Sequence, residues 1–66
     1  MPLFDISIAK GRTREELRNL ISAVHRAAEE TVNATPENTT VIIREVEPEN
    51  WSKANQTIAE RNQAKS

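Results

Sequence analysis

Cysteine is absent from this chain of 66 residues, and histidine occurs once, at position 25. Without cysteine the chain forms neither disulfides nor thiolate metal sites. His25 alone does not make a zinc site without several carboxylate partners, and a lone histidine on a helix is typical of a surface or interface position. Disulfides and metals are therefore excluded as the devices that stabilise so short a chain.

An excess of one charge sign and long apolar runs are also lacking. Nine Lys and Arg residues against ten Asp and Glu residues give a net charge of −1, and the two signs are interspersed. No basic stripe suggests nucleic acid and no polybasic patch suggests anionic lipid. No apolar run approaches a membrane span, and the start lacks the pattern of a signal peptide. We expect a cytoplasmic protein with neither nucleic acid nor membrane as partner.

The length allows a single domain over residues 1–66. Large apolar side chains are few, so an isolated protomer is poorly stabilised by its own core. Oligomerisation is the remaining device, and we expect an oligomer.

Alternating apolar residues near the start predict a strand. Phe4, Ile6 and Ile8 fall on one face of residues 3–9. Gly11, the only glycine, marks the turn that follows, because glycine adopts backbone angles that other residues avoid.

A long amphipathic helix is predicted next. Thr13 with Glu16 three residues later fits a capping box, and an apolar stripe at three- and four-residue spacing runs on to Val32. The stretch 33–36 should end the helix, because the residue before a proline avoids the helical region.

A second strand is predicted from about residue 39 to 46. Its run Val41-Ile42-Ile43 is apolar on both faces, so both faces should be covered. The fold class is therefore α/β: one β-α-β unit with parallel strands and a right-handed crossover. Residues 47–50 read as a turn, and the polar tail 52–66 as a short hairpin or a partner-binding arm.

The position of Pro2 directly behind Met1 suggests chemistry. If Met1 is removed, the ring nitrogen becomes a secondary amine, which is a base and a nucleophile. The alternative is a proline that merely caps an edge strand. A general base near neutral pH needs this amine unprotonated, so burial or a nearby cation must lower its pKa.

The ordered set of motifs resembles the 4-oxalocrotonate tautomerase family of the tautomerase superfamily, over residues 2 to about 61. The features that carry the resemblance are Pro2, the strand FDISI, the turn Gly11-Arg12-Thr13, the helix core LxxLISAV, the strand VIIRE and Pro48-Glu49-Asn50-Trp51. It implies β-α-β protomers whose strands join into a shared four-stranded sheet. It also implies a homo-oligomer, a hexamer built as a trimer of dimers.

The resemblance further implies an isomerase that ketonises a small 2-hydroxy-dienoate or another enol or dienol carboxylic acid. Met1 is removed, and Pro2 moves a proton between oxygen and carbon as the catalytic base. Arg12 matches the arginine that holds the substrate, and Trp51 matches the aromatic wall of the pocket. No metal or organic cofactor is implied.

The sequence departs from the family pattern at Thr40, where the type member has a second substrate-binding arginine. Thr40 does not stabilise developing negative charge as an arginine does. Arg44 lies four residues on and shares a face with Thr40, so it is a substrate-binding candidate. The alternative for Arg44 is a salt bridge to Glu45, Glu47 or an acid of a neighbouring subunit.

Two other functions remain open. One is a Pro2-dependent hydratase, dehalogenase or decarboxylase acting on a small acid. The presence of Ala9 and Lys53, where such a subunit type carries Arg and Glu, lowers this alternative. The other is one subunit of a hetero-oligomeric tautomerase whose partner supplies the arginine missing at Thr40.

Overall fold

Two parallel strands and one long helix form the body of the chain. The structure is a computed structural model and describes residues 1–64, so Lys65 and Ser66 of the predicted tail lie outside the described residues. Its helices and strands are β1 (Leu3–Ala9), α1 (Arg14–Val32), β2 (Thr40–Val46), β3 (Ser52–Lys53), β4 (Gln56–Thr57) and α2 (Ile58–Ala64). Among residues 1–64, no helix has the length and apolar character needed to cross a membrane.

The two long strands pair in parallel, with Leu3 opposite Thr40 and Ala9 opposite Val46. The predicted β-α-β unit is therefore confirmed. At the carboxyl end of the pair the Lys10 N–H donates to the Val46 carbonyl at 2.8 Å, which extends the ladder by one bond.

The sheet has one sheltered face and one open face. Phe4, Ile6 and Ile8 are half-buried on the face that α1 covers. On the other face Leu3 is 62% exposed, and Asp5 is exposed beside it. The sequence predicts cover on both faces, but residues 1–64 contain only one helix long enough to supply it.

The capping box predicted at the start of α1 is present. The Glu16 N–H donates to Thr13 Oγ1 at 3.0 Å, and the Thr13 N–H donates to Glu16 Oε1 at 2.8 Å. The end of α1 also agrees with the prediction, because Val32 is the last helical residue and residues 33–36 follow the helix. Asn33 takes a left-handed conformation with φ of 59°, and its N–H bonds to the Ala28 carbonyl.

The tripeptide Pro-Glu-Asn occurs twice and folds the same way twice. Pro36–Asn38 and Pro48–Asn50 each form one 3₁₀ turn with proline in its first positions. The second of these is the turn predicted over residues 47–50, and it leads from β2 into the tail.

The tail forms a hairpin followed by a short helix. Ser52 pairs with Thr57 and Lys53 with Gln56, in antiparallel orientation. Ala54 and Asn55 turn the chain with φ of 54° and 58°, as both central residues of a type I′ turn require. The hairpin was one of the two predicted alternatives, whereas α2 was not predicted.

The chain is elongated and nearly coreless. Its radius of gyration is 15.1 Å, whereas a compact chain of this length has about 11 Å. It exposes 5312 Å², whereas a folded monomer of 7.4 kDa exposes about 4200 Å². Ala28, 2% exposed, is the only buried residue among residues 1–63. The shape therefore leaves on the order of 1000 Å² that a second chain can cover.

Candidate active site

Pro2 lies at the amino end of β1 and is held through its carbonyl oxygen. The Thr40 N–H donates to that oxygen at 3.1 Å, which ties the first residue before β1 to the first residue of β2. Pro2 is half-buried, whereas Met1 is 97% exposed. With Met1 attached, the Pro2 nitrogen is an amide. Removal of Met1 turns this nitrogen into an amine, and the bond to Thr40 does not involve the nitrogen.

Thr40 is the second predicted site residue at this end. It is exposed and sits opposite Leu3 in the register of the parallel pair. Pro2 and Thr40 are the two site residues that a single chain brings together.

Arg44 lies four residues further along β2, and its guanidinium is bound to Asp5. Arg44 Nε donates to Asp5 Oδ1 at 3.0 Å, and Arg44 Nη2 lies 3.4 Å from Asp5 Oδ2. The predicted alternative of a salt bridge is therefore present, but Glu45 and Glu47 are the wrong partners within the chain. Side chains alternate along a strand, so Glu45 points to the other face.

Asp5 is a residue that sequence reasoning missed. It is the only acidic residue of β1, and the register places it beside Ile42, between Thr40 and Arg44 on the same face. The β-α-β pattern predicts the parallel pairing of β1 and β2. It does not predict the register, and without the register Asp5 is not recognised as the partner of Arg44.

Arg12 lies in the turn after β1, at the opposite end of the sheet. Gly11 precedes it with φ of +135°, a conformation that side chains disfavour. The Thr13 cap follows, and its backbone N–H and then its hydroxyl hold the pKa of the Glu16 carboxyl below its usual value. Within residues 1–64 Arg12 forms neither a salt bridge nor a side-chain hydrogen bond, so its guanidinium is available to an anion.

Lys10 and Glu47 close the carboxyl ends of the two long strands. Lys10 Nζ lies 3.1 Å from Glu47 Oε1, and this hydrogen bond, with the charge of Glu47, raises the pKa of the Lys10 ammonium. Both side chains are about half exposed, so the pair contributes little to stability.

Trp51 follows the second 3₁₀ turn and is half-buried. Its carbonyl accepts from the Ile58 N–H at 2.9 Å, which joins the base of the hairpin to the start of α2. Thr57 and Glu60 form a second capping box, with bonds of 2.9 and 3.1 Å. The pattern of Thr with Glu three residues later is the signal that would have predicted α2, as it predicted α1.

The five predicted site residues thus divide between two ends of the sheet. Pro2 and Thr40 lie at the amino ends of the strands, and Arg12 and Trp51 come after the carboxyl ends. A strand of seven residues separates these ends by about 20 Å. Arg44 lies between them and is paired with Asp5.

Two grooves of the described chain lie away from these residues. One of about 400 Å³ is lined by Arg18, His25 and neighbours along α1, and one of about 610 Å³ by Leu17, Glu45 and neighbours. Neither includes any of the five predicted site residues. These two grooves therefore do not coincide with the predicted site.

Comparison with known proteins identifies the family. The family model for tautomerase enzymes matches residues 2–61 and so begins at Pro2. A protein named probable tautomerase from Dickeya dadantii is 39% identical over 64 residues, which cover 96% of each chain. These two matches span nearly the whole chain.

Solved structures agree. TomN, a 4-oxalocrotonate tautomerase homologue in the tomaymycin biosynthetic pathway, matches with a TM-score of 0.94 and 34% identity over 98% of this chain and 100% of its own. A heterohexameric 4-oxalocrotonate tautomerase from Chloroflexus aurantiacus matches with a TM-score of 0.86 and 30% identity over 91% of this chain and 97% of its own. The chain therefore belongs to the 4-oxalocrotonate tautomerase family of the tautomerase superfamily.

Proposed function

We propose that this chain is the subunit of an oligomeric keto-enol tautomerase in which the amine of Pro2 is the general base. The observation that carries the proposal is the family match that starts at Pro2, together with the position of Pro2 at an accessible, hydrogen-bonded strand end. Met1 is 97% exposed and so is open to removal by a peptidase.

The proposed reaction is an isomerisation of a small 2-hydroxy-dienoate or related enol acid. The Pro2 amine takes the proton of the 2-hydroxyl group as the C2–O bond becomes a carbonyl. The electron pair shifts along the diene, and the same proton is returned to carbon C3 or C5. Atoms and electrons balance without a further reactant, so the step needs no cofactor.

Arg12 supplies the positive charge for the substrate carboxylate in this proposal. Because Arg12 lies about 20 Å from Pro2 in its own chain, a neighbouring subunit provides it. A cation beside the Pro2 amine also favours the neutral form, which the base requires. Trp51, which follows the same end of the sheet, would form the wall that excludes water.

A homohexamer arranged as a trimer of dimers is part of the proposal. The open sheet face, the nearly absent core and the surplus exposed surface support association of several copies. One similar protein, the 4-oxalocrotonate tautomerase from Chloroflexus aurantiacus, is a heterohexamer. A cytoplasmic location and a role in aromatic catabolism belong to the same proposal.

The hydratase, dehalogenase or decarboxylase alternative is not favoured. The names of the similar proteins are those of tautomerases. Ala9 and Lys53 also lack the groups expected at those positions for a dehalogenase subunit.

The proposal is tested by a UV ketonisation assay with a 2-hydroxy-dienoate on protein whose intact mass shows that Met1 is absent. The matched control carries one alanine inserted between Met1 and Pro2. After removal of Met1 this variant keeps every side chain, but its Pro2 nitrogen is an amide without basicity. We expect turnover by the processed wild type and none by the insertion variant. Equal activity of the two proteins would overturn the role of Pro2.

A further inference from the structure

The open face of the sheet carries one pair of opposite charges among apolar side chains. Because side chains alternate along a strand, β1 places Asp5 on this face and β2 places Arg44 there. The apolar side chains on the same face are Leu3, Ala9, Ile42 and Val46. Parallel strands are almost always covered on both faces, so this face calls for a cover.

The chain has surface to spare for such a contact. Leu3 is 62% exposed, and the elongated shape leaves on the order of 1000 Å² more exposed surface than a compact chain of this mass has. A stable protein interface takes about 800 Å² from each partner. Among residues 1–64 the only long helix, α1, lies on the other face. The cover therefore comes from another chain.

Asp5 and Arg44 bind each other without using all of their hydrogen-bonding groups. Arg44 Nε and Nη2 lie 3.0 and 3.4 Å from the two Asp5 oxygens, and the Arg44 Nη1 group has no partner among residues 1–64. Each carboxylate oxygen can accept a further hydrogen bond. The side chains of Arg44 and Asp5 are 60% and 45% exposed, so a second chain can reach these remaining groups.

A cover made of apolar side chains alone would leave those groups unpaired. A buried ion pair is tolerated where further hydrogen bonds satisfy its remaining donors and acceptors. A two-fold contact between copies supplies these bonds, because each residue of one copy meets its counterpart's neighbour in both directions. Arg44 of each copy then faces Asp5 of the other, and the two pairs form a neutral cluster.

Building on the proposed association of several copies, we propose that the open face binds a second copy of this chain, with the two Asp5–Arg44 pairs facing each other across the contact. The pairs act as a recognition element. A chain with a different arrangement of charges brings like charges together at this contact, which is costly. The surface therefore favours identical chains over related ones.

The test exchanges the two charges in one chain, by Asp5→Arg together with Arg44→Asp. This swapped variant keeps its own ion pair and matches a second swapped chain, but it sets like charges against the wild type. Isotope-labelled wild type is refolded with an equal amount of unlabelled swapped variant, and native mass spectrometry counts the mixed oligomers. We expect less than about a tenth of the mixed oligomers that random assortment gives. Random assortment would overturn the proposal.

The matched control exchanges the other ion pair found among residues 1–64, by Lys10→Glu together with Glu47→Lys. These two residues continue the alternation of the sheltered face. Their side chains are 58% and 48% exposed, much as those of Arg44 and Asp5 are. The control should mix with the wild type at random. Equal exclusion of the control and the swapped variant would contradict the assignment to the open face.

Two single variants decide the question if the swapped variant does not assemble. Asp5→Arg leaves two cations on the open face, and Arg44→Asp leaves two acids. Each should assemble poorly alone, and an equal mixture of them should form oligomers that contain both chains. Single variants that assemble alone as well as the wild type does, or that fail to assemble when mixed, would contradict the proposal.

The wild type separates this proposal from the proposed function. A wild type that stays monomeric in size-exclusion chromatography refutes both the contact and the proposed homohexamer. An oligomeric wild type that mixes at random with the swapped variant leaves the homohexamer standing and refutes the role of the Asp5–Arg44 pair.

Discussion

The amino and carboxyl ends of the sheet differ in charge and in the chemistry they offer. The amino end has a candidate base in Pro2 beside the uncharged Thr40. The charged side chains of residues 1–9 and 27–43, which lead to and from this end, are all acidic. The carboxyl end has Arg12 without a partner among the described residues, followed in the chain by Trp51. Base and cation thus lie about 20 Å apart in one chain. If Arg12 binds the substrate at Pro2, as proposed, the amino end of one subunit must meet the carboxyl end of another.

The largest expected effect comes from changing the amino end alone. Pro2→Ala replaces the secondary amine by a primary amine without the ring that positions it, so it should lower kcat by up to the roughly 10²- to 10⁴-fold that a positioned general base contributes. Steady-state ketonisation rates check this, with size-exclusion chromatography to show an intact oligomer. Ser7→Ala, an exposed position on the same strand, is the matched control and should stay near the wild-type rate. A Pro2→Ala enzyme of unchanged kcat would contradict the assignment.

The next largest effects are expected in the KM of an Arg12 variant and in the activity of a mixture of two variants. Arg12→Ala should raise KM by about tenfold to a hundredfold, because a charged hydrogen bond to the substrate is lost. If each site takes Pro2 from one chain and Arg12 from another, refolding an equal mixture of Pro2→Ala and Arg12→Ala chains should make about a quarter of the sites intact. An intact site needs Pro2 from an Arg12→Ala chain and Arg12 from a Pro2→Ala chain. Activity of the mixture is compared with each variant alone.

Complementation would be absent if both residues of a site came from one chain. Each chain of the mixture would then carry one defect, and the mixed activity would equal the mean of the two variants. Arg14→Ala, the next arginine along the chain, is the control for Arg12→Ala and should leave KM unchanged.

A smaller effect is expected where the Thr13 cap fixes the turn at the carboxyl end. Thr13→Ala removes the hydroxyl that accepts from the Glu16 N–H and should lower the free energy of unfolding by about 1 kcal/mol. Thermal or urea denaturation at one protein concentration measures this change. A loss of activity without a loss of stability would instead place Thr13 in the site.

The same cap predicts a pH dependence. The folded chain holds the pKa of Glu16 below its usual 4.5, so the ionised carboxylate stabilises the folded state above that pH. This contribution is lost as the pH falls through the lowered pKa of the folded state. Glu16→Gln should therefore show a shallower loss of stability below pH 4.5 than the wild type, and equal slopes would contradict the prediction.

The smallest effect concerns the hairpin beyond Trp51. Ala54 has φ of 54°, a conformation that asparagine tolerates better than alanine. Ala54→Asn should raise the free energy of unfolding by about 0.5 kcal/mol. A matched Ala59→Asn change in α2, where φ is helical, should not stabilise. A decrease in stability for Ala54→Asn would show that the side chain of Ala54 is needed elsewhere.

The sequence by itself determined the two long strands and the long helix, and also where most of them begin and end. Alternation over residues 3–9, the Thr13 cap and the apolar stripe of α1 are local signals, since each depends on neighbours within a few residues. The same local rule applied to Thr57 and Glu60 would also have predicted α2. Pro2 stood out because no other residue offers a secondary amine at the chain start.

The tertiary structure alone decided which residues meet. The pairing of Arg44 with Asp5 rather than Glu45 follows from the register of two strands that are 39 residues apart in sequence at this contact. The separation of Arg12 from Pro2 follows from the strand length and the parallel direction. Contacts of this kind depend on how distant segments align in space, and a pattern of neighbouring residues carries no information on that alignment.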